Sequence, residues 1–246
     1  MANSDPIRKA TVGNNPSGRS PANPSPLHLP ERAAVSCYAV LVDGGFLKKR
    51  LGSEQQPLNA QKVHDFLDAL ALHPMLERHA LYRVYFYDAA PLNETKKRPL
   101  NGGTIDFGLS DTAAQNRALH ADLVRMPFIA LRMGELGFRG WEIRKNVLPP
   151  NAANVTISAD DLKPTIQQKG VDMRIGLDIA ALTLKKMANV IVLVTGDSDF
   201  VPAMKFARRE GAQLFLVALG APIKEAMREH SDLSLEMPGF DRQSAR

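Results

Sequence analysis

The chain has 246 residues, 44% hydrophobic and 23% charged, with a formal net charge of +5. That is ordinary globular composition, and one domain of this length can bury a sizeable core unaided. A single cysteine, Cys37, excludes a disulfide framework or a cysteine-rich zinc site.

No apolar run is long enough to span a membrane, and the first 30 residues lack an apolar signal core. The expectation is a soluble protein of the cytoplasm with no membrane partner. Its 31 Lys plus Arg against 26 Asp plus Glu lean toward a polyanionic partner such as nucleic acid.

In chain order, residues 1–34 come first. Six of the 17 prolines lie in the first 30 residues, among Asn, Ser and Gly and with almost no large apolar side chains. Such a segment cannot offset the entropy of its own ordering, so a disordered tail is expected.

From residue 35 the pattern changes. Residues 37–43 are a buried strand ending in Asp43 and Gly44-Gly45. Residues 59–72 set Val63, Phe66, Leu67 and Leu70 on one helical stripe. Residues 81–88, rich in β-branched and aromatic side chains, predict a second strand ending in Asp88. A polar, basic loop follows over 93–103, carrying Lys96, Lys97, Arg98 and two glycines.

Helical patterning resumes near Thr112 and stops at Pro127, and residues 138–145 read as a strand. Residues 172–187 read as a helix, and 190–194 as a fully apolar strand running into Thr195, Asp197 and Asp199. Pro202 suits the first turn of a short helix that Gly211 ends. A strand at 213–219 and a helix at 222–230 complete the pattern. Alternating short strands and helices predict an α/β fold: one three-layer domain over 35–236, with a central, mostly parallel sheet between helices. Residues 237–246 are assigned to a C-terminal tail.

The acidic residues carry the chemistry. In open α/β sheets ligands bind beyond the carboxyl ends of the strands, and three apolar strands here end at or beside an aspartate: Asp43, Asp88 and Asp197, with Asp199 close behind. One such aspartate is ordinary turn chemistry. Several at one edge repel unless a cation neutralises them, and hard oxygen ligands suit Mg²⁺ or Mn²⁺.

Asp172 follows Gly170 at a helix start, where capping is an alternative role. Asp178 lies six residues on, about 120° around the helix, so the two share no face if both are helical. An aspartate within the apolar string 175–182 still needs a partner if it is buried, and a metal site would supply one.

Val42-Asp43-Gly44-Gly45-Phe46, Lys169-Gly170-Val171-Asp172 with Asp178, and the segment from Thr195 through Asp197 and Asp199 to Pro202 resemble the acidic motifs of the NYN family. That family belongs to the LabA-like and PIN-like ribonucleases, and the resemblance runs from about residue 35 to 232. It implies a PIN-like fold and a metal-dependent ribonuclease cutting RNA to a 5′-phosphate and a 3′-hydroxyl. Asp43, Asp172, Asp197 and Asp199 would be the catalytic, metal-holding acids, with Asp178 a fifth metal-site member.

Where many relatives carry Asn three residues after the first Asp, this chain has Phe46. The alternative is therefore a PIN-like module that binds RNA or a protein without cleaving. A haloacid-dehalogenase-type phosphatase is disfavoured because Gly45 stands where its second aspartate would be. Lys96, Lys97, Arg98 and Lys169 are the candidate phosphate contacts, and the chain is allowed a homo-oligomeric state.

Overall fold

The computed structural model describes residues 36–148, 151 and 153–241. The tail expected over residues 1–34 and the last five residues lie outside them.

Seven strands form one sheet in the order β6-β5-β2-β1-β7-β8-β9. All neighbours are parallel except β5 and β6. The chain winds outward from β1 (Cys37–Asp43) through β2 (Ala80–Ala89) to β5 (Ile129–Ile143), then returns to β1's other side as β7 (Val190–Val194). From there it winds away through β8 (Gln213–Val217) to β9 (Leu233–Ser234). The winding therefore reverses between β1 and β7, the crevice where open α/β sheets receive ligands.

Period-two alternation along the strands divides the core. One set, including Tyr38, Val40, Val42, Val84 and Phe86, packs against Leu47 of α1 (Gly44–Leu51) and Val63, Phe66 and Leu70 of α2 (Ala60–Ala71). Leu119 and Leu123 of α3 (Asp111–Leu123) complete that layer. The other set, including Ala39, Leu41, Tyr85 and Tyr87, packs against Ile175, Ile179 and Leu182 of α4 (Val171–Leu184). Met204 of α5 (Val201–Arg209) and Met227 of α6 (Glu225–Glu229) lie on the same side. The result is the three-layer α/β architecture that the pattern predicts. Asn59 caps α2, its side chain accepting from the Lys62 N–H.

Five details depart from the sequence reading. The segment read as a basic loop contains a small antiparallel pair, β3 (Thr95–Lys97) with β4 (Thr104–Asp106). The strand expected at 138–145 begins nine residues earlier, at Ile129, and is 15 residues long. It pairs with β2 only over Ile129 to Gly134, then leaves the sheet edge and pairs with β6 (Leu162–Lys169), a strand absent from the sequence reading. Helix α6 is only five residues long. In the stretch assigned to a C-terminal tail, Met237 is buried and Phe240 packs edge-on against Phe66.

The ribbon beyond the sheet has its own apolar seam. Phe138 lies 5.9 Å from Phe107 and 5.6 Å from Trp141, while the Trp141 indole N–H donates to the Lys97 carbonyl at 3.1 Å.

Candidate metal-binding acidic site

Asp43 ends β1 and caps α1. Its Oδ1 accepts from the Phe46 N–H at 3.0 Å, and its Oδ2 from the Thr195 hydroxyl at 3.2 Å. Thr195 is fully buried just beyond β7, and its Oγ1 also accepts from the Asp197 N–H at 3.2 Å. Asp197 Oδ1 accepts in turn from the Asp199 N–H at 3.0 Å. A chain of hydrogen bonds therefore runs across the crevice from the first acid to the last.

Asp172 enters from α4. Gly170 rather than Asp172 occupies the helix cap, with φ 76°, a left-handed conformation that costs glycine little. That turn swings the chain from β6 into α4 and leaves Asp172 in the first helical turn.

The electrostatics show which acids face one another. Burial pushes the Asp43 carboxyl up, the Phe46 N–H and Thr195 hydroxyl oppose that, and Asp172 and Asp197 push it up again, leaving it above the ordinary value. Asp172 is likewise raised, by partial desolvation and then by Asp197 and Asp199. Among the described residues none of these four acids has an ion-pair partner.

The other two predicted acids stand apart. Asp178 is helical, as Asp172 is, and points elsewhere: it accepts from the Tyr87 hydroxyl at 2.9 Å and pairs with Arg132 at 3.0 Å. Burial and this carboxylate keep the Tyr87 phenol protonated well past its ordinary range. Asp88 is 3% exposed and lies on the opposite face of the sheet from Asp43, bound by Lys48 of α1 and by His120 of α3 at 2.6 Å. Burial alone would raise its carboxyl, but His120 and Lys48 outweigh that and hold it below the ordinary value. It is removed from the edge cluster in which the sequence reading counted it.

Lys48, His120, Thr195 and Arg132 are the partners missed at the sequence level. Lys224, which donates to Ser198 at 2.7 Å between two of the acids, was missed as well. Only Thr195, an isolated polar residue ending an apolar strand, carried a local signal.

Phe46, the departure noted in the sequence, fills the crevice floor. A Cβ on Gly196 would come within 2.8 Å of its ring, so the aromatic side chain and the glycine require each other. Of the four basic candidates, Lys96 is paired with Glu94 at 2.7 Å and Arg98 with Asp160 at 3.4 Å. Lys97 and Lys169 are exposed, and Lys169 stands three residues before Asp172.

Among the described residues no three His, Cys, Asp or Glu side chains converge closely enough to hold one ion. The donors nevertheless fit a hard divalent cation. They are all oxygen, mutually repelling and without a counter-charge, and Mg²⁺ commonly takes one or two carboxylates and keeps its waters.

A family model, the NYN domain, matches residues 137–235. The match covers Asp172, Asp178, Asp197, Asp199 and Lys169; β1 and Asp43 lie before it. No curated protein matches the chain. Among solved structures, a protein of unknown function from Vibrio parahaemolyticus is similar at 13% identity and a TM-score of 0.47. That likeness covers 84% of this chain and 95% of the other.

Proposed function

From the premise that residues 137–235 are an NYN domain, a member of the PIN-like superfamily, we propose that this chain is a metal-dependent ribonuclease. It hydrolyses RNA phosphodiester bonds at the crevice between β1 and β7, leaving a 5′-phosphate and a 3′-hydroxyl, and it acts in the cytoplasm. The observation that carries this reading is the set of four carboxylates, Asp43, Asp172, Asp197 and Asp199, facing one another without a cationic side chain.

Asp43 and Asp197 are the ligands held most rigidly, because Thr195 bonds to both segments. Asp172 and Asp199 complete the site directly or through water. Asp178, fixed by Arg132 and Tyr87, is assigned to steadying α4 against β2 and β5. A bound Mg²⁺ or Mn²⁺ ion would neutralise charge on the phosphoryl group and lower the pKa of a water beside it.

RNA is held by its backbone. Lys169 stands closest in sequence to the acids, and Lys97 is exposed on the neighbouring hairpin. Lys96 and Arg98 must exchange Glu94 and Asp160 for phosphate if they are to take part. Such contacts give affinity with little sequence preference.

The direct test is labelled single-stranded and structured RNA incubated with Mn²⁺, with Mg²⁺ or with EDTA. Cleavage with metal and none with EDTA is expected. Asp43→Asn and Asp197→Asn should each lose about 10²-fold or more, as removal of a main electrostatic stabiliser does. Wild-type rates in both variants would overturn the assignment.

A second reading is a module that binds RNA or a protein without cutting. Phe46 favours it, since its ring supplies no polar contact where it lies on Gly196. Thermal unfolding with added Mn²⁺ separates the two at the level of the site, because a metal that binds the folded state raises stability by RT ln(1 + [L]/Kd).

A further inference from the structure

Helix α4 has two apolar faces. Val171, Ile175, Ile179 and Leu182 are buried in the core. On the opposite side Met173, Leu177 and Leu184 are 72%, 63% and 60% exposed, an apolar stripe left in water. With Ala180 these positions are spaced 4-3-4, the seam of a coiled coil.

The spacing is also symmetric. If two copies of α4 run antiparallel about a twofold axis between residues 178 and 179, Met173 meets Leu184 and Leu177 meets Ala180. Gly176 flanks this seam, and a Cβ there would meet nothing within 4 Å. Nothing within the protomer therefore requires a glycine in mid-helix, where it costs stability, whereas a second backbone approaching closely does.

Charge selects the direction. Asp172 at one end of α4 lies beside Asp197 and Asp199, while Lys185 and Lys186 follow the other end. An antiparallel pair sets lysines against acids at both ends, and a parallel pair sets like against like. We propose that α4 is the contact of an isologous homodimer, packed antiparallel against α4 of a second copy.

One helix per protomer buries less than the roughly 800 Å² a side of a standard interface, so the dimer is weak and concentration-dependent. It brings the partner's Lys185 and Lys186 to the acidic end of α4. The inference rests on surface and charge and is independent of the proposed ribonuclease chemistry.

Sedimentation velocity on the full chain from about 10 μM to about 1 mM tests it. The wild type should pass from monomer to dimer across that range. Leu177→Lys and Leu184→Lys, both at exposed positions, should each weaken association at least about tenfold with unchanged circular dichroism, as expected for central apolar contacts. Lys185→Glu combined with Lys186→Glu should also weaken it.

Gly176→Ala supplies a variant that cannot be dismissed as unfolded: it should raise the monomer's Tm while weakening the dimer. A wild type that stays monomeric throughout, a dimer indifferent to both leucine changes, or growth beyond two copies would overturn the proposal.

Discussion

Asp43 and Asp88 end neighbouring parallel strands, yet they live in opposite electrostatic worlds. Asp43 pairs in register with Tyr87, so both side chains emerge toward α4, while Asp88, one residue on, emerges toward α1 and α3. On that side Lys48 and His120 close around it. On the other, Asp43 meets only hydrogen-bond donors and more carboxylates. A single step along one strand separates an acid whose charge is compensated from one left to be neutralised from outside. Position at the sheet edge alone does not make a site; the partners on each face do.

The comparison breaks most visibly in stability. Asp88→Ala leaves a lysine and a histidine facing a buried gap, and urea denaturation should register a loss of about 3–5 kcal/mol, the usual cost of removing one member of a buried pair. Asp43→Asn should change stability in the opposite direction without metal. Asparagine can still cap α1, and one source of repulsion disappears, a gain on the order of 1 kcal/mol. If both substitutions destabilise equally, the two aspartates are not the opposites described here.

Acid titration sharpens the same contrast. The Asp88 carboxyl is held below its ordinary value of 3.8 by His120 and Lys48. A group lowered on folding contributes stability above its unfolded pKa and loses it as pH falls through the folded value. The wild type should therefore lose stability below about pH 4 more steeply than Asp88→Asn does, which thermal melts across that range would measure.

The smallest expected effect concerns the basic candidates. Lys97→Ala and Lys169→Ala should each reduce the log–log salt slope of RNA binding by about 0.7, the value for one phosphate contact on a single strand. Lys96→Ala and Arg98→Ala should change it less, because Glu94 and Asp160 already engage those side chains. Equal changes at all four positions would show that those ion pairs do not survive contact with RNA.

What was legible in the sequence follows what is buried. The apolar runs of β1, β2, β7 and β8 and the 3-4 spacing of α2 are set by the core, and each lies close to where its pattern predicts. The β5–β6 ribbon is half-exposed and interrupted by glycines at 134, 137 and 140, so no hydrophobic period announced it. The motif acids were readable because each directly follows an apolar strand or opens a helix. Their sorting was not. That Asp88 turns away from Asp43 depends on strand register, and that His120 meets it depends on a contact 32 residues distant, neither of which is a local property.

Strand β5 has a mechanical consequence. It exchanges its neighbour at one point, pairing with β2 up to Gly134 and with β6 from Glu135 onward. No hydrogen-bond ladder carries the ribbon into the sheet; continuity across that point is the covalent chain and a single turn into α4. Backbone amides on the two sides should therefore belong to different cooperative units, those of residues 135–143 exchanging by local opening and those of 129–134 only with the whole domain. A foldon boundary thus falls inside one unbroken strand, and the arm it defines can unzip while the sheet that carries Asp43 and Asp197 stays closed.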